Sequence, residues 1–424
     1  MPRLDSAPSD ISVELDGQLV PARKGEPVAV SLWAADEKVF SRSIKYHRPR
    51  GPFCMTGSCA QCLMRVNGVP NIATCCTPAA PGMRLERQNA FPSAKLDLFG
   101  LTDWLFPRGL NHHEMFAGVP IAEQVMAKVA RQLAGLGKLP DKEPPRRLPP
   151  ENVQIDTVVV GAGAAGLGAA EVLKHAGVLH LLLEREEEAG GRLIFGPPEE
   201  HSPNPALPEG EAIRLGTTAL GVFEEPNGHF LAASTSDRLL TIHPKRFVLC
   251  NGGHPMLTPF ENNDLPGVIA ARAVSRMIRR HRLLPGKKIA VVGEPIEARA
   301  IAALIRVAGG DPVAIGGKPL RAHGVSDVSS ITVLLDGKEQ KIDCDAVALC
   351  APASPSFELA RQCGARVDWN PEAQVFCVQA DAEGRTQAKG VYAAGELLGP
   401  MGSVEAHESG KRAAKALLAD RGAP

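Results

Sequence analysis

Residues 154–184 limit more than any other stretch what this chain can be. In order they are an apolar run containing Val158-Val159-Val160, the turn Gly161-Ala162-Gly163-Ala164-Ala165-Gly166, an alanine-rich helical stretch to Ala176, and a mostly apolar run over 179–183 closed by Glu184 and Arg185. Strand, glycine turn, helix, strand and acid in that order make the dinucleotide-binding unit of a Rossmann fold. Gly161 permits the tight turn, Gly163 lets backbone come up to a pyrophosphate, and Gly166 lets the helix pack closely. The helix N-terminus offers unpaired N–H groups to anionic oxygens. Glu184 follows Gly166 by 18 residues, close to the ~20 expected of a carboxylate that hydrogen-bonds ribose hydroxyls.

The 424 residues suffice for two to four domains. Lys plus Arg and Asp plus Glu number 47 each, so no global field recruits nucleic acid or an anionic membrane. The first ten residues lack the apolar core of a signal peptide. The longest apolar stretch is the glycine-rich one just described, so no membrane span is expected. These features predict a cytoplasmic protein with reduced thiols. Ten cysteines in such a compartment call for a metal, and five of them lie between Cys54 and Cys76.

Cys54, Cys59 and Cys62 have the Cys-x4-Cys-x2-Cys spacing of a plant-type 2Fe-2S loop. Gly51 and Gly57 supply the sharp bends that aim N–H groups at sulfur. A fourth thiolate must return to this loop. Asn67-Gly68, between Leu63-Met-Arg-Val66 and Val69-Pro-Asn-Ile72, is a strong two-residue hairpin signal. It brings Cys75 and Cys76 back to the side from which Cys62 left. Neighbours on an extended chain point to opposite sides, so one of the pair faces the metal, and Cys75 is expected to be that one. The basic run His47-Arg48-Pro49-Arg50 reads as a solvated turn. His112-His113 reads as a surface or interface pair, with helical periodicity over 121–136 and a proline-rich linker over 139–150.

Farther on, Gly190-Gly191-Arg192 forms a glycine turn beyond the second strand, and Val391-Tyr-Ala-Ala-Gly395-Glu396 leads into a helix from about Ser403. Glu405 and His407 on that helix read as cap or surface residues. Ile289-Ala-Val-Val-Gly293 begins what looks like another Rossmann unit, yet its turn is Gly293-Glu294-Pro295-Ile296-Glu297-Ala298. Pro295 removes an N–H where a pyrophosphate should sit, and Glu294 and Glu297 carry the wrong charge. The following strand ends in Gly316-Gly317 without a ribose-binding acid. NAD is therefore expected to bind weakly or not at all. Cys250, Cys344, Cys350, Cys363 and Cys377 are scattered singly, as buried small apolar residues are.

Together, Tyr46-His-Arg-Pro-Arg-Gly-Pro-Phe-Cys54, Asn89-Ala-Phe-Pro-Ser93, Ala134-Gly-Leu-Gly137, the Gly161–Gly166 turn and Val391-Tyr-Ala-Ala-Gly395 resemble the alpha subunits of heteromeric amine and amino-acid dehydrogenases. That group includes sarcosine oxidase, hydrogen cyanide synthase, and opine and hydroxyproline dehydrogenases. The resemblance implies an α/β and α+β multidomain chain, with a ferredoxin-like 2Fe-2S domain (1–90) and a connector (91–150). A two-dinucleotide-binding-domain flavoprotein fold of the pyridine nucleotide-disulfide reductase type follows. Its FAD domain falls in two parts, 151–267 and 343–424, around a degenerate NAD-type domain (268–342).

The resemblance further implies FAD on Gly161, Ala162, Gly163, Ala164, Ala165, Gly166, Glu184, Arg185, Gly191 and Arg192, with Gly395 and Glu396 at the flavin end. A 2Fe-2S cluster would sit on Cys54, Cys59, Cys62 and Cys75. A flavin-containing beta subunit would oxidise the substrate, further small subunits and an electron acceptor would complete the system, and FMN at a subunit interface is left open. The chain ends soon after its last helix, so a folate-binding module is not expected within it. Two other readings remain: a self-sufficient NAD(P)H-dependent reductase, and a redox-sensing or assembly subunit. No residue set suggests a catalytic substrate pocket.

Overall fold

The computed structural model describes residues 3–44, 46–90, 93–94, 96–97, 147–196, 203–205, 210–226 and 228–421. His112-His113, the 121–136 periodicity and most of the 91–150 connector lie outside them. The chain divides into two compact units, Met1–Glu143 with Leu257–Ala351, and Pro144–Met256 with Pro352–Pro424.

In the first unit, Ile11–Leu15 and Gln18–Ala22 form a hairpin through Asp16 (φ 50°) and Gly17 (φ 85°). Leu63–Val66 and Val69–Ala73 form another through Asn67 (φ 50°) and Gly68 (φ 83°). Two positive φ values in a row are what two-residue hairpins of this twist require, and Asp/Asn-Gly supplies them at least strain. Arg84–Glu86 lies between the hairpins, parallel to Ile11–Leu15 and antiparallel to Leu63–Val66, which completes a five-stranded sheet. The helix Val28–Ala34 starts after Pro27 and buries Val28, Ala29, Val30, Leu32 and Trp33.

The second sheet of this unit has six strands, in the order Val268–Ala270, Ala346–Cys350, Lys288–Gly293, Asp311–Gly324, Val328–Leu335 and Lys338–Asp343. The first four pair in parallel and the last two complete an antiparallel meander. Two boundaries differ from the sequence reading. Ala346–Cys350 pairs with Val268–Ala270 and Lys288–Gly293, so it is an interior strand of this sheet rather than the opening of the second part of the FAD domain. Its five residues are all buried, as a central parallel strand requires. Likewise the segment from Leu257 belongs to this unit.

The ferredoxin-like part and the six-stranded part share one apolar core. Trp33 Nε1 donates to the Pro285 carbonyl at 3.0 Å, and Ala270 N–H to the Phe53 carbonyl at 3.1 Å. The run His47–Arg50, read as a solvated turn, is part of this joint. Arg48 donates to both carboxylate oxygens of Asp264, through Nε at 2.8 Å and Nη2 at 2.6 Å, and Arg50 stands 3.2 Å from the same carboxylate. His47 is buried with its Nδ1 3.1 Å from Asp97. Charge alternation along the sequence reveals no partner two hundred residues away, which is why this joint escaped the sequence reading.

The second unit carries a seven-stranded sheet. Glu151–Val160 lies between His180–Leu183 and Leu239–Leu249, all parallel, and Val391–Ala393 joins the far side of Leu239–Leu249. Its two long helices, Ala164–His175 and Ser403–Asp420, cross at small residues. A β-carbon on Gly410 would stand 1.8 Å from the Ala165 carbonyl oxygen, and one on Gly168 2.4 Å from that of His407. His407 is accordingly buried at this crossing, 3.5 Å from Glu171, and is not the surface or cap residue expected. Glu405 is exposed.

Candidate functional site

Two sites are built from these elements, one in each unit. In the ferredoxin-like domain, Met55 (φ 53°), Gly57 (φ 77°) and Ala60 (φ 54°) turn the loop over three left-handed positions. That curl points amide N–H groups inward: Thr56 donates to Cys54 Sγ at 3.4 Å and Gly57 to Cys75 Sγ at 3.2 Å. Cys54, Cys62 and Cys75 are buried and Cys59 is partly so. Cys54 hydrogen-bonds Cys59 and Cys75, and Cys62 hydrogen-bonds Cys75. Donation from Cys59 holds Cys54 far below the ordinary thiol range, and donation from Cys75 lowers Cys62. Cys59 and Cys75 are correspondingly raised, Cys59 by its bond to Cys54 and Cys75 by its bonds to Cys54 and Cys62.

Four sulfurs linked in the series Cys59, Cys54, Cys75 and Cys62, with amide donors on Cys54 and Cys75, fit a 2Fe-2S cluster, whose negative charge such donors stabilise. Among the described residues no three His, Cys, Asp or Glu side chains converge on a single-ion position. Convergence on one point is not required where four thiolates are divided between two irons. Cys75 and Cys76 lie in a tight helical turn, Thr74–Cys76, rather than on an extended strand. The turn buries the first sulfur and exposes the second.

In the second unit, Gly161 adopts φ 98°, and a β-carbon there would meet the Cys250 carbonyl oxygen at 2.4 Å. Gly166 is packed against the turn itself, its β-carbon position 1.8 Å from the Gly161 carbonyl oxygen. Gly163 faces open space, with nothing within 4 Å of its β-carbon position. No side chain caps the helix that begins at Ala164. A dinucleotide pyrophosphate needs this pairing of a bare glycine and an open helix N-terminus.

Around the opening, Glu184 accepts the Ala162 N–H at 2.8 Å and the Glu186 N–H at 2.9 Å. Gly190 N–H donates to the Ala162 carbonyl at 2.8 Å, and a β-carbon on Gly191 would stand 3.2 Å from Gly163 Cα. Arg192 Nη1 lies 3.0 Å from Glu396 Oε1 and donates to the Met401 carbonyl at 3.0 Å. Gly395 N–H donates to Ser409 Oγ at 3.2 Å. Arg185 is half exposed, 3.7 Å from Glu186. Of the expected residues, Glu184 meets the turn at Ala162 and Gly191 meets it at Gly163. A β-carbon on Gly395 would stand 2.9 Å from that of Ala165, and Arg192 pairs with Glu396, whereas Arg185 is placed only by its neighbour Glu186.

Asn251 belongs to none of the motifs above. It follows the strand end beside Gly161, and its buried Oδ1 has no hydrogen-bond partner among the described residues. A buried amide oxygen without a partner is costly, so this one is available to a bound ligand. Its only sequence signal is Asn251-Gly252-Gly253 at a strand end.

The second Rossmann turn has the opposite character. Glu294 caps its own helix, Pro295–Val307, accepting the Ile296 N–H at 3.0 Å and the Glu297 N–H at 2.6 Å. A carboxylate from the chain itself occupies the donors that a phosphate would use.

A model for a 2Fe-2S iron-sulfur cluster binding domain matches residues 9–90, and one for an NAD(P)-binding Rossmann-like domain matches 159–201. The hydrogen cyanide synthase subunit HcnA of Pseudomonas aeruginosa is 35% identical over 81 residues, which are 19% of this chain and 77% of that protein. Sarcosine oxidase subunit alpha of Rhizobium meliloti is 25% identical over 474 residues, covering 98% of this chain and 46% of that one. The chain belongs to the alpha-subunit family of heteromeric amine and amino-acid dehydrogenases.

As a member of this oxidoreductase family it spans less than half the length of the sarcosine oxidase subunits it matches. Its fold is like that in a crystal structure of L-proline dehydrogenase from P. horikoshii, with a TM-score of 0.76 at 23% identity over 99% of this chain and 75% of that one. The alpha-subunit architecture is therefore a ferredoxin-like domain joined to a two-dinucleotide-binding-domain fold of the pyridine nucleotide-disulfide reductase type. Among the described residues no helix is long and apolar enough to cross a membrane.

Proposed function

We propose that this chain is the electron-transfer subunit of a heteromeric FAD-dependent amine or amino-acid dehydrogenase, with the substrate oxidised on a partner flavoprotein subunit. FAD takes up an electron pair and a 2Fe-2S cluster passes single electrons, so both in one chain interconvert the two modes. The uncapped Ala164 helix with open space at Gly163 carries the assignment of FAD. Gly161 to Gly166 bind the pyrophosphate, with Ala162, Ala164 and Ala165 keeping the turn free of larger side chains. Glu184 and Arg185 stand at the adenosine ribose, the Gly191-Arg192 loop covers the turn, and Gly395 and Glu396 lie towards the flavin. Cys54, Cys59, Cys62 and Cys75 hold the cluster.

The Glu294 cap argues against the self-sufficient reductase. Ejecting a carboxylate that already satisfies two amides, to seat a phosphate of the same charge, gains nothing. The 268–351 segment acts instead as the packing partner of the ferredoxin-like domain. Electrons accordingly enter from a partner subunit and not from NAD(P)H.

Anaerobic mixing tests this. NADH, or any amine or amino acid added to the purified chain alone, leaves the flavin and cluster absorbance in place, and amine-dependent bleaching returns when the partner flavoprotein subunit is added. Rapid bleaching by NADH alone would make the chain a reductase. Bleaching by an amine alone would put the substrate site here.

A further inference from the structure

The four sulfurs gathered at the loop leave Cys76 without a part. It is the exposed thiol among the ten cysteines. Its Sγ lies 3.7 Å from Cys75 Sγ, and 2.9 Å from the point where a β-carbon on Gly57 would stand. Gly57 itself donates its N–H to the same Cys75 sulfur at 3.2 Å. The Cys75 sulfur is thus met both by a backbone amide and by a neighbouring thiol. When Cys75 binds iron it does so as a thiolate, with no proton to give, so within the Sγ–Sγ pair Cys76 must be the donor.

We propose that Cys76 is a positioning residue of the electron-transfer centre. It donates an S–H···S hydrogen bond to the iron-bound sulfur of Cys75, packs on Gly57 so that the Gly57 amide stays on that sulfur, and thereby raises the cluster's reduction potential. The inference rests on the cluster assignment above. Its physical basis is charge: the reduced cluster carries one more negative charge than the oxidised one, and a donor to a ligand sulfur stabilises that form more.

A thiol that merely filled space would act with the opposite sign. Removing it would let water approach, and water also stabilises the extra negative charge and raises the potential. Losing a donor lowers it. The direction of the shift therefore separates the two roles.

The experiment is a redox titration of the purified holo chain, followed by the visible absorbance and the electron paramagnetic resonance of the reduced cluster, with iron quantified in the same samples. Cys76→Ala is expected to keep its iron and to titrate at a more negative midpoint than the unaltered chain. Cys76→Ser, whose hydroxyl remains a donor, should fall between the two. Alkylation of the unaltered holo chain with iodoacetamide should modify Cys76 ahead of the other nine cysteines and lower the midpoint as alanine does. An unchanged or higher midpoint in Cys76→Ala overturns the proposal, and so does loss of iron in that variant, which would make Cys76 a ligand. An unaltered chain without iron or labile sulfide would instead overturn the cluster assignment, and this inference with it.

Discussion

Single atoms decide both candidate sites. At the first glycine turn, Gly163 and Gly166 are three residues apart yet their surroundings are opposites, one facing empty space and the other a carbonyl oxygen at 1.8 Å. Gly163→Val should therefore give a folded chain with little bound flavin, measured as the FAD-to-protein ratio. Gly166→Ala should instead lower stability, by about 1–3 kcal/mol from overpacking, read as a reduced unfolding temperature. Serine at Cys54, Cys59, Cys62 or Cys75 should abolish the cluster absorbance, and retention of full iron content in any of the four would remove that residue from the ligand set. The spacing of Cys54, Cys59 and Cys62 and the turn Gly161–Gly166 are legible in sequence because local backbone geometry imposes them. Asn251 and the placement of Cys76 against Gly57 are not, because they depend on where a strand end and a helical turn come to rest.

Elements are joined by contacts that no local pattern announces. The basic run at 47–50 looks solvated in isolation, and only the fold brings Asp264 to Arg48 and Arg50. Burial raises the carboxyl of Asp264, but the guanidinium groups of Arg48 and Arg50 outweigh it and hold the group below the ordinary range. A carboxylate depressed on folding adds stability above its unfolded value of about 3.9 and loses it as pH falls through the folded value. Asp264→Asn should cost about 1–3 kcal/mol at neutral pH, since it leaves two guanidinium groups without their carboxylate. The difference from the unaltered chain should stay constant from neutral pH down to about 5 and shrink below about 4. A difference that grew on acidification would contradict this sign. Glu294 illustrates the complementary case: its charge at the helix start was evident from sequence, but its capture of the Ile296 and Glu297 amides required the helix in place.

Across the whole molecule, strand pairing redraws the boundaries that motifs alone suggest. From sequence Ala346–Cys350 falls in the second part of the FAD domain, and its pairing with Val268–Ala270 and Lys288–Gly293 assigns it to the other sheet instead. Five further cysteines, at 250, 344, 350, 363 and 377, are buried, with burial raising the Cys250, Cys344 and Cys363 thiols to about 12. They are poor ligands and poor nucleophiles at neutral pH, which leaves the loop at 54–75 as the candidate metal site. The central claim is that a one-electron and a two-electron carrier reside in this one chain, and cofactor stoichiometry on the purified protein tests it most directly. The account predicts about two irons, about two acid-labile sulfides and about one FAD per chain. A chain that bound FAD but held zinc, or no metal, at the four cysteines would contradict it.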